Sequence, residues 1–271
     1  MSSSADRPIA MFDSGFGGLT VARALIDLAP CEDLVYFGDT GRYPYGPRSQ
    51  AEVRDFAHQI TDWMVDRYDP KLIVVACNTA TAVALDELQA RIAVPVVGVV
   101  EPGLRSVLAV TETHRVGVIG TVGTVASGAY QRAAAAAAPQ VELTCAACPG
   151  FVEFVERGET DSEQVRVLAQ RLLAPVIDAK VDALLLGCTH YPFLARTIGE
   201  VMGRDVVLVS SADETAFAVT SALATSGAAT TATEPGRHLF VSSGDVDSFA
   251  RLGRRLLGPE LDHVVAHRWE E

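Results

Sequence analysis

The sequence predicts an α/β fold built from two pseudo-symmetric, three-layer units whose mostly parallel sheets face each other across a shared site. Two observations carry this. Short β-rich runs alternate with helical patterns along the whole chain, and the same strand–turn–helix and strand–cysteine elements occur twice in the same order. The expected strands are Ile9–Phe12, Leu34–Gly38, Leu72–Ala76, Val96–Val99, Val116–Ile119, Ala183–Leu186, Val206–Val209 and His238–Ser242. Most are continuous apolar runs rather than alternating ones, the pattern of strands covered by helices on both faces.

Amphipathic helices are expected between them. From Ser49 the apolar positions Val53, Phe56, Ala57, Ile60, Trp63 and Met64 recur at helical spacing, and Ser49 with Glu52 fits a capping box. Asp161 opens another helix, with Val165, Leu168, Leu172, Leu173, Val176 and Ile177 on one face. Ala133–Ala138 is a low-complexity helical piece. The Ala-, Thr-, Ser- and Gly-rich stretch Ala224–Gly236 reads as a surface loop before a last strand and helix.

The internal repeat sets the organisation. IAMFDSGFGGLTVARAL from Ile9 and VGVIGTVGTVASGAY from Val116 each open a half with strand, small-residue turn and helix. Further on, a strand runs straight into cysteine in DPKLIVVACNTAT from Asp69 and in DAKVDALLLGCTHYP from Asp178. Ser14 precedes Cys77 by 63 residues, and Thr121 precedes Cys188 by 67. The chain is expected to cross into the second unit near Gly98–Pro102 and return near Ser210–Asp213. Residues 1–98 with 210–271 then form the first unit and residues 99–209 the second.

Composition narrows the function classes. With 34 acidic against 22 basic side chains the net charge is −12, which disfavours a non-specific nucleic-acid binder. No apolar run approaches the roughly 18 residues of a membrane helix, and the opening MSSSADRPIAMFDSG lacks a secretory pattern. Five cysteines are an odd, sparse set for 271 residues, suited to reduced thiols in a cytoplasm rather than to a disulfide framework.

Ligands of such sheets bind beyond the carboxyl ends of the strands. Asp13, Cys77 and Cys188 all stand where a strand ends and a helix is about to begin. Free N–H groups at helix starts suit a carboxylate ligand. The same field lowers a thiol from its free pKa of about 8.5, so thiolate is expected near neutral pH. Most free cysteines are small buried hydrophobes, but strand-end placement in both repeats favours chemistry. Asp13 is placed to serve Cys77 and His190 to serve Cys188 as proton partners. DSGFGG lacks GxGxxG spacing and no Walker lysine is present, so its glycines are expected to let backbone approach the ligand closely. The Cys145–Cys148 CxxC pair lacks a second ligand pair for zinc and reads as structural. His58, His114, His238, His263 and His267 show no ligand spacing.

Six segments, DSGFGGLTV (13–21), YFGDTGRYPYG (36–46), ACNTAT (76–81), IGTVGT (119–124), CPGFVEFVE (148–156) and LGCTHYP (186–192), resemble those of bacterial glutamate racemases. The resemblance runs along nearly the whole chain. It implies 1,1-proton transfer at glutamate Cα without a cofactor or metal, supplying D-glutamate for peptidoglycan, by a cytoplasmic homodimer. It further implies that Cys77 takes the proton from D-glutamate and Cys188 from the L form. Matching substrate-contact positions are Asp13, Ser14, Tyr45, Gly46, Asn78, Thr79, Thr121, Thr189 and His190, and the auxiliary acid falls on Glu156. Glu153 stands where that family usually has an apolar residue or proline.

The chemistry of the residues agrees. Most enzymes that remove an unactivated α-proton use pyridoxal phosphate on a Schiff-base lysine, yet the only lysines, Lys71 and Lys180, both precede strands, at the sheet edge away from the expected site. Three rivals differ in what they explain. Aspartate racemases carry Cys-Thr-Glu where this chain has Cys188-Thr189-His190. A thiol hydrolase using Cys188 and His190 leaves Cys77 without a role. An acidic surface docking a basic partner protein is compatible with the charge and with catalysis.

Overall fold

The computed structural model describes residues 4–261 and 263–269. In chain order the strands are β1 (Ile9–Asp13), β2 (Leu34–Gly38), β3 (Leu72–Val75), β4 (Val96–Gly98) and β5 (Arg115–Gly120). They continue with β6 (Glu142–Ala147), β7 (Ala183–Gly187), β8 (Val207–Val209), β9 (His238–Ser242) and β10 (Val264–Ala266). The helices are α1 (Leu19–Leu28), α2 (Gln50–Tyr68), α3 (Asn78–Arg91), α4 (Val100–Val110), α5 (Val122–Ala126) and α6 (Ala129–Ala137). After them come α7 (Phe151–Arg157), α8 (Glu163–Asp178), α9 (Ala195–Met202), α10 (Ala212–Ser226) and α11 (Val246–Leu257). Among the described residues no helix is long and apolar enough to cross a membrane.

Two wholly parallel sheets result. One has the order β10-β9-β2-β1-β3-β4 and the other β6-β5-β7-β8. The repeat in the sequence becomes a repeat in topology, because β2-β1-β3-β4 and β6-β5-β7-β8 run through the same spatial order. In each, the strand opening the half is central and its neighbour carries the cysteine. Alternate residues of β1 enter opposite layers: Ile9 and Met11 pack with α1 and α10, whereas Ala10 and Phe12 pack with α2 and α3. In the second sheet Leu184 and Leu186 face α8, while Val116, Val118 and Leu185 face α4 and α6. Each such fully buried aliphatic side chain contributes about 1.5–3 kcal/mol relative to exposure, and both faces of both sheets are covered.

Local signals place the helices. Ser49 caps α2 with its side chain accepting from the Glu52 N–H while Glu52 reaches back to Ser49 N–H, the expected capping box. Helix α8 is capped by Ser162, one residue past the expected start at Asp161. Helix α10 extends through Ser226, so the loop expected from Ala224 begins only at Gly227, whose φ of 66° ends the helix in a left-handed turn. Two strands carry no sequence signal of their own. β6 is an edge strand whose residues ELTCAA are mostly half-buried and do not alternate, and β10 has only three residues and follows the last helix.

Lys71 is buried at the start of β3, away from Cys77. Its Nζ pairs with Glu32 Oε2 at 2.5 Å and donates to the Ala5 carbonyl at 2.8 Å. Removing one partner strands the other charge in the interior. Lys71→Met is therefore expected to lower unfolding free energy by about 3–5 kcal/mol in urea titrations, whereas Lys71→Met with Glu32→Leu should regain more than half of that. A silent single substitution would show that the pair contributes nothing.

Candidate active site

Four strand ends, those of β1, β3, β5 and β7, supply the reactive side chains. Asp13 closes β1 and is fully buried. Its carboxylate accepts from Gly15 N–H at 3.0 Å and from the Thr189 hydroxyl at 3.5 Å, the latter across the gap between the sheets. Burial pushes the Asp13 carboxyl up, against the lowering influence of His190 and the N–H groups of Gly15, Gly18 and Ser14. The turn that follows is tight for a reason other than ligand approach. A Cβ on Gly17 would lie 2.4 Å from Thr189 Oγ1, and one on Gly18 would lie 2.6 Å from Asp13 Cβ. Gly17 lets the two halves close on each other, Gly18 lets the turn pack on β1 and the end of β3, and neither lines the cavity.

Cys77 is the N-cap of α3, and its thiol donates to Ser14 Oγ at 3.7 Å. Cys188 ends the β7 segment before a 3-10 turn, Tyr191–Leu194, rather than a regular helix start. Both thiols are nearly inaccessible, 5% and 7% exposed. Burial pushes Cys77 up to about 11, helped by the Asp13 charge and opposed by the Ala80 and Ser14 donors. Burial pushes Cys188 higher still, opposed by the His190 and Tyr191 N–H groups. The expectation of thiolate near neutral pH is thus overturned. Desolvation of a charged sulfur exceeds the helix-start field in this closed pocket.

The remaining residues tie the halves together around the thiols. Thr79 Oγ1 lies 2.9 Å from Thr121 Oγ1 and 3.3 Å from Thr124 Oγ1, and Asn78 Nδ2 donates to Tyr130 OH at 2.8 Å. Gly123 N–H donates to the Gly46 carbonyl at 3.0 Å. The buried Tyr45 hydroxyl donates to Asp39. His190 packs edge-on to Phe16 with centroids 4.9 Å apart and stacks on Tyr43 at 6.0 Å. Its Nε2 faces Glu156 Oε1 at 3.7 Å.

One cavity gathers ten of the residues singled out from sequence: Ser14, Tyr45, Gly46, Cys77, Asn78, Thr79, Thr121, Cys188, Thr189 and His190. Asp13 and Glu156 stand behind that wall, against Thr189 and His190. The cavity also holds Tyr43, Val152, Glu153 and Cys148, which sequence reasoning gave no place there. Tyr43 lay inside the RYPYG segment, so its neighbours were the available signal. Cys148 is the part of the CxxC pair that faces the cavity, with burial pushing its thiol up to about 12, whereas Cys145 packs against the cluster beneath α4. Among the described residues no group of three His, Cys, Asp or Glu side chains is arranged to hold a metal ion.

The family profile described as Asp/Glu/Hydantoin racemase matches residues 20–219. The glutamate racemase of Acidothermus cellulolyticus is 51% identical over 259 residues, which cover 95% of this chain and 98% of that protein. The chain belongs to the glutamate racemases. Two solved structures share the architecture of this racemase along its length. The Bacillus anthracis isoform RacE1 is 37% identical with a TM-score of 0.91, covering 98% of each chain. The Francisella tularensis glutamate racemase, solved in complex with D-glutamate, is 33% identical with a TM-score of 0.90, covering 97% of this chain and 98% of that one.

The raised thiols have two consequences for this racemase. Without substrate, iodoacetamide should label Cys77 slowly at about pH 7 and progressively faster toward pH 10, with Cys188 lagging behind it, as followed by peptide mass spectrometry. Because the folded protein holds the Cys77 proton more tightly than the unfolded chain, stability from this group is complete below pH 9 and is lost as pH rises toward about 11. Rapid labelling of both thiols at neutral pH would contradict the desolvated geometry.

Proposed function

We propose that this chain interconverts L- and D-glutamate with Cys77 and Cys188 as two bases working on opposite faces of Cα, without a cofactor. The observation that supports this best is the pair of thiols on one cavity, each supplied by the corresponding strand end of one of two similar sheets. In one direction a Cys77 thiolate takes the Cα proton while the Cys188 thiol delivers its own to the far face, and the return direction exchanges the roles. The family resemblance assigns the D-glutamate proton to Cys77 and the L-glutamate proton to Cys188.

Both thiols begin protonated, so one must lose its proton as substrate enters. Asp13, itself buried and raised, is the proton acceptor for Cys77, and His190 backed by Glu156 serves Cys188. The substrate ammonium, brought into a site without bulk water, then stabilises the thiolate it faces. Ser14, Asn78, Thr79, Thr121 and Thr189, with Tyr45 and Gly46 on the wall, offer donors for the two carboxylates. Asn78 Oδ1 is buried without a protein partner and is free to accept from the ammonium. Schiff-base chemistry has no lysine to use. Lys71 is held by Glu32, and Lys180 precedes β7 at the end away from Cys188.

Family membership supports the wider reading of a cytoplasmic homodimer that supplies D-glutamate for peptidoglycan. The strands divide between sheets in keeping with residues 1–98 plus 210–271 as one unit and 99–209 as the other.

In D₂O, product of opposite hand formed from pure L- or D-glutamate should carry deuterium at Cα, while recovered starting enantiomer stays mostly protiated early on. Deuterium entering both at the same rate would mean a single exchanging base and defeat the proposal. Cys77→Ser and Cys188→Ser should each lower kcat/KM by at least roughly 10²–10⁴-fold. The two directions must fall equally, since enantiomers in water have an equilibrium constant of one.

A further inference from the structure

Behind the cavity wall a polar cluster surrounds Asp39, which is fully buried just after β2. Its Oδ2 accepts from the Tyr45 hydroxyl and from Arg42 Nε, the latter at 2.7 Å. Its Oδ1 accepts from Ser243 Oγ at 2.7 Å and from the Trp269 indole N–H at 3.0 Å. The Arg42 guanidinium is sandwiched between two rings, 4.2 Å from the Phe56 centroid and 4.1 Å from that of Trp269. Trp269 thus touches both members of the ion pair on which Tyr45 rests.

Trp269 reaches this position because β10 adds to the edge of the first sheet beside β9. The residues after β10 then turn inward, and His267 packs at 4.5 Å from both Trp63 and Trp269. Trp269 also packs on Phe37 of β2 at 5.6 Å. On the other side of the cluster, residues 43–47 form one wall of the cavity, with Gly46 bonded across to Gly123 of the second half.

We propose that Trp269 is a positioning residue for substrate binding. It locks the Asp39–Arg42 pair from the side remote from the cavity, and the pair in turn holds Tyr45 and the 43–47 wall at the spacing glutamate requires. A cation between two aromatic faces is strongly confined, and an indole donor to a buried carboxylate fixes which oxygen remains for Tyr45. Without Trp269, Arg42 keeps its charge but loses one of its two walls. The wall segment then has more arrangements to sample, and binding must select among them. This rests on the reading of the cavity as the racemisation site.

Because Tyr45 is proposed to bind rather than to transfer protons, the signature is a split between KM and kcat. Trp269→Leu should raise KM for both enantiomers roughly tenfold with kcat within about twofold. Trp269→Phe, which retains a ring over Arg42 but not the N–H donor, should fall between it and the native enzyme and keeps the comparison available if the leucine variant does not fold. The chain has two tryptophans, so in Trp63→Phe the emission comes from Trp269 alone and should shift on titration with D-glutamate. The same titration of Trp269→Phe should be flat. Unchanged KM in both Trp269 variants, a loss confined to kcat, or a silent Trp269 emission would each overturn the proposal. A native enzyme that binds D-glutamate by emission but never racemises it would instead refute the catalytic reading and leave the wall-positioning inference standing.

Discussion

Two parallel sheets can share a site only if their carboxyl ends meet closely enough to exclude water, and that seam is what the rest of the structure depends on. It is made of small groups. Thr79, Thr121 and Thr124 form a triangle of hydroxyls, and Asn78 reaches Tyr130. Gly123 bonds the Gly46 carbonyl, and Gly17 leaves room for Thr189 and His190 where any Cβ would collide. A seam of this kind gains little from apolar burial and much from geometry, because the bonds of Thr79, Asn78 and Gly123 are made only while their partners in the other half stay in place.

The chemistry follows from the same closure. Helix-start N–H groups near a sulfur favour thiolate, yet here they are outweighed, since a sulfur with almost no access to water must give up its hydration to ionise. Thiols held in this way are poor nucleophiles toward chance electrophiles. Asp13 and Glu156 sit behind the wall, not on it, Asp13 against Thr189 and Glu156 against His190.

Much of this was legible in the sequence, and the reasons for the exceptions are physical. Short apolar runs such as IAMF and LIVV, bounded by turn residues, read as strands buried on both faces, and the repeated run into cysteine singled out Cys77 and Cys188. β6 escaped because ELTCAA lies at a sheet edge, where half-buried residues need neither alternation nor continuous apolarity. The thiol environment could not be read from position alone, because desolvation depends on what the opposite half places overhead. Trp269 gave no signal at all, for its partners Phe37, Asp39 and Arg42 lie more than 200 residues earlier in the chain.

The ion pair between Lys71 and Glu32 has a practical outcome. Of the chain's two lysines this one is sealed in the interior, which leaves Lys180 as the single exposed side-chain amine. Lys180 sits in a left-handed turn before β7, at the end of that strand opposite Cys188. Apart from an α-amino group, an acylating dye or a resin-bound ester therefore has one address on this molecule. The chain can be tethered or tagged there in a uniform orientation, with the cavity pointing away from the support.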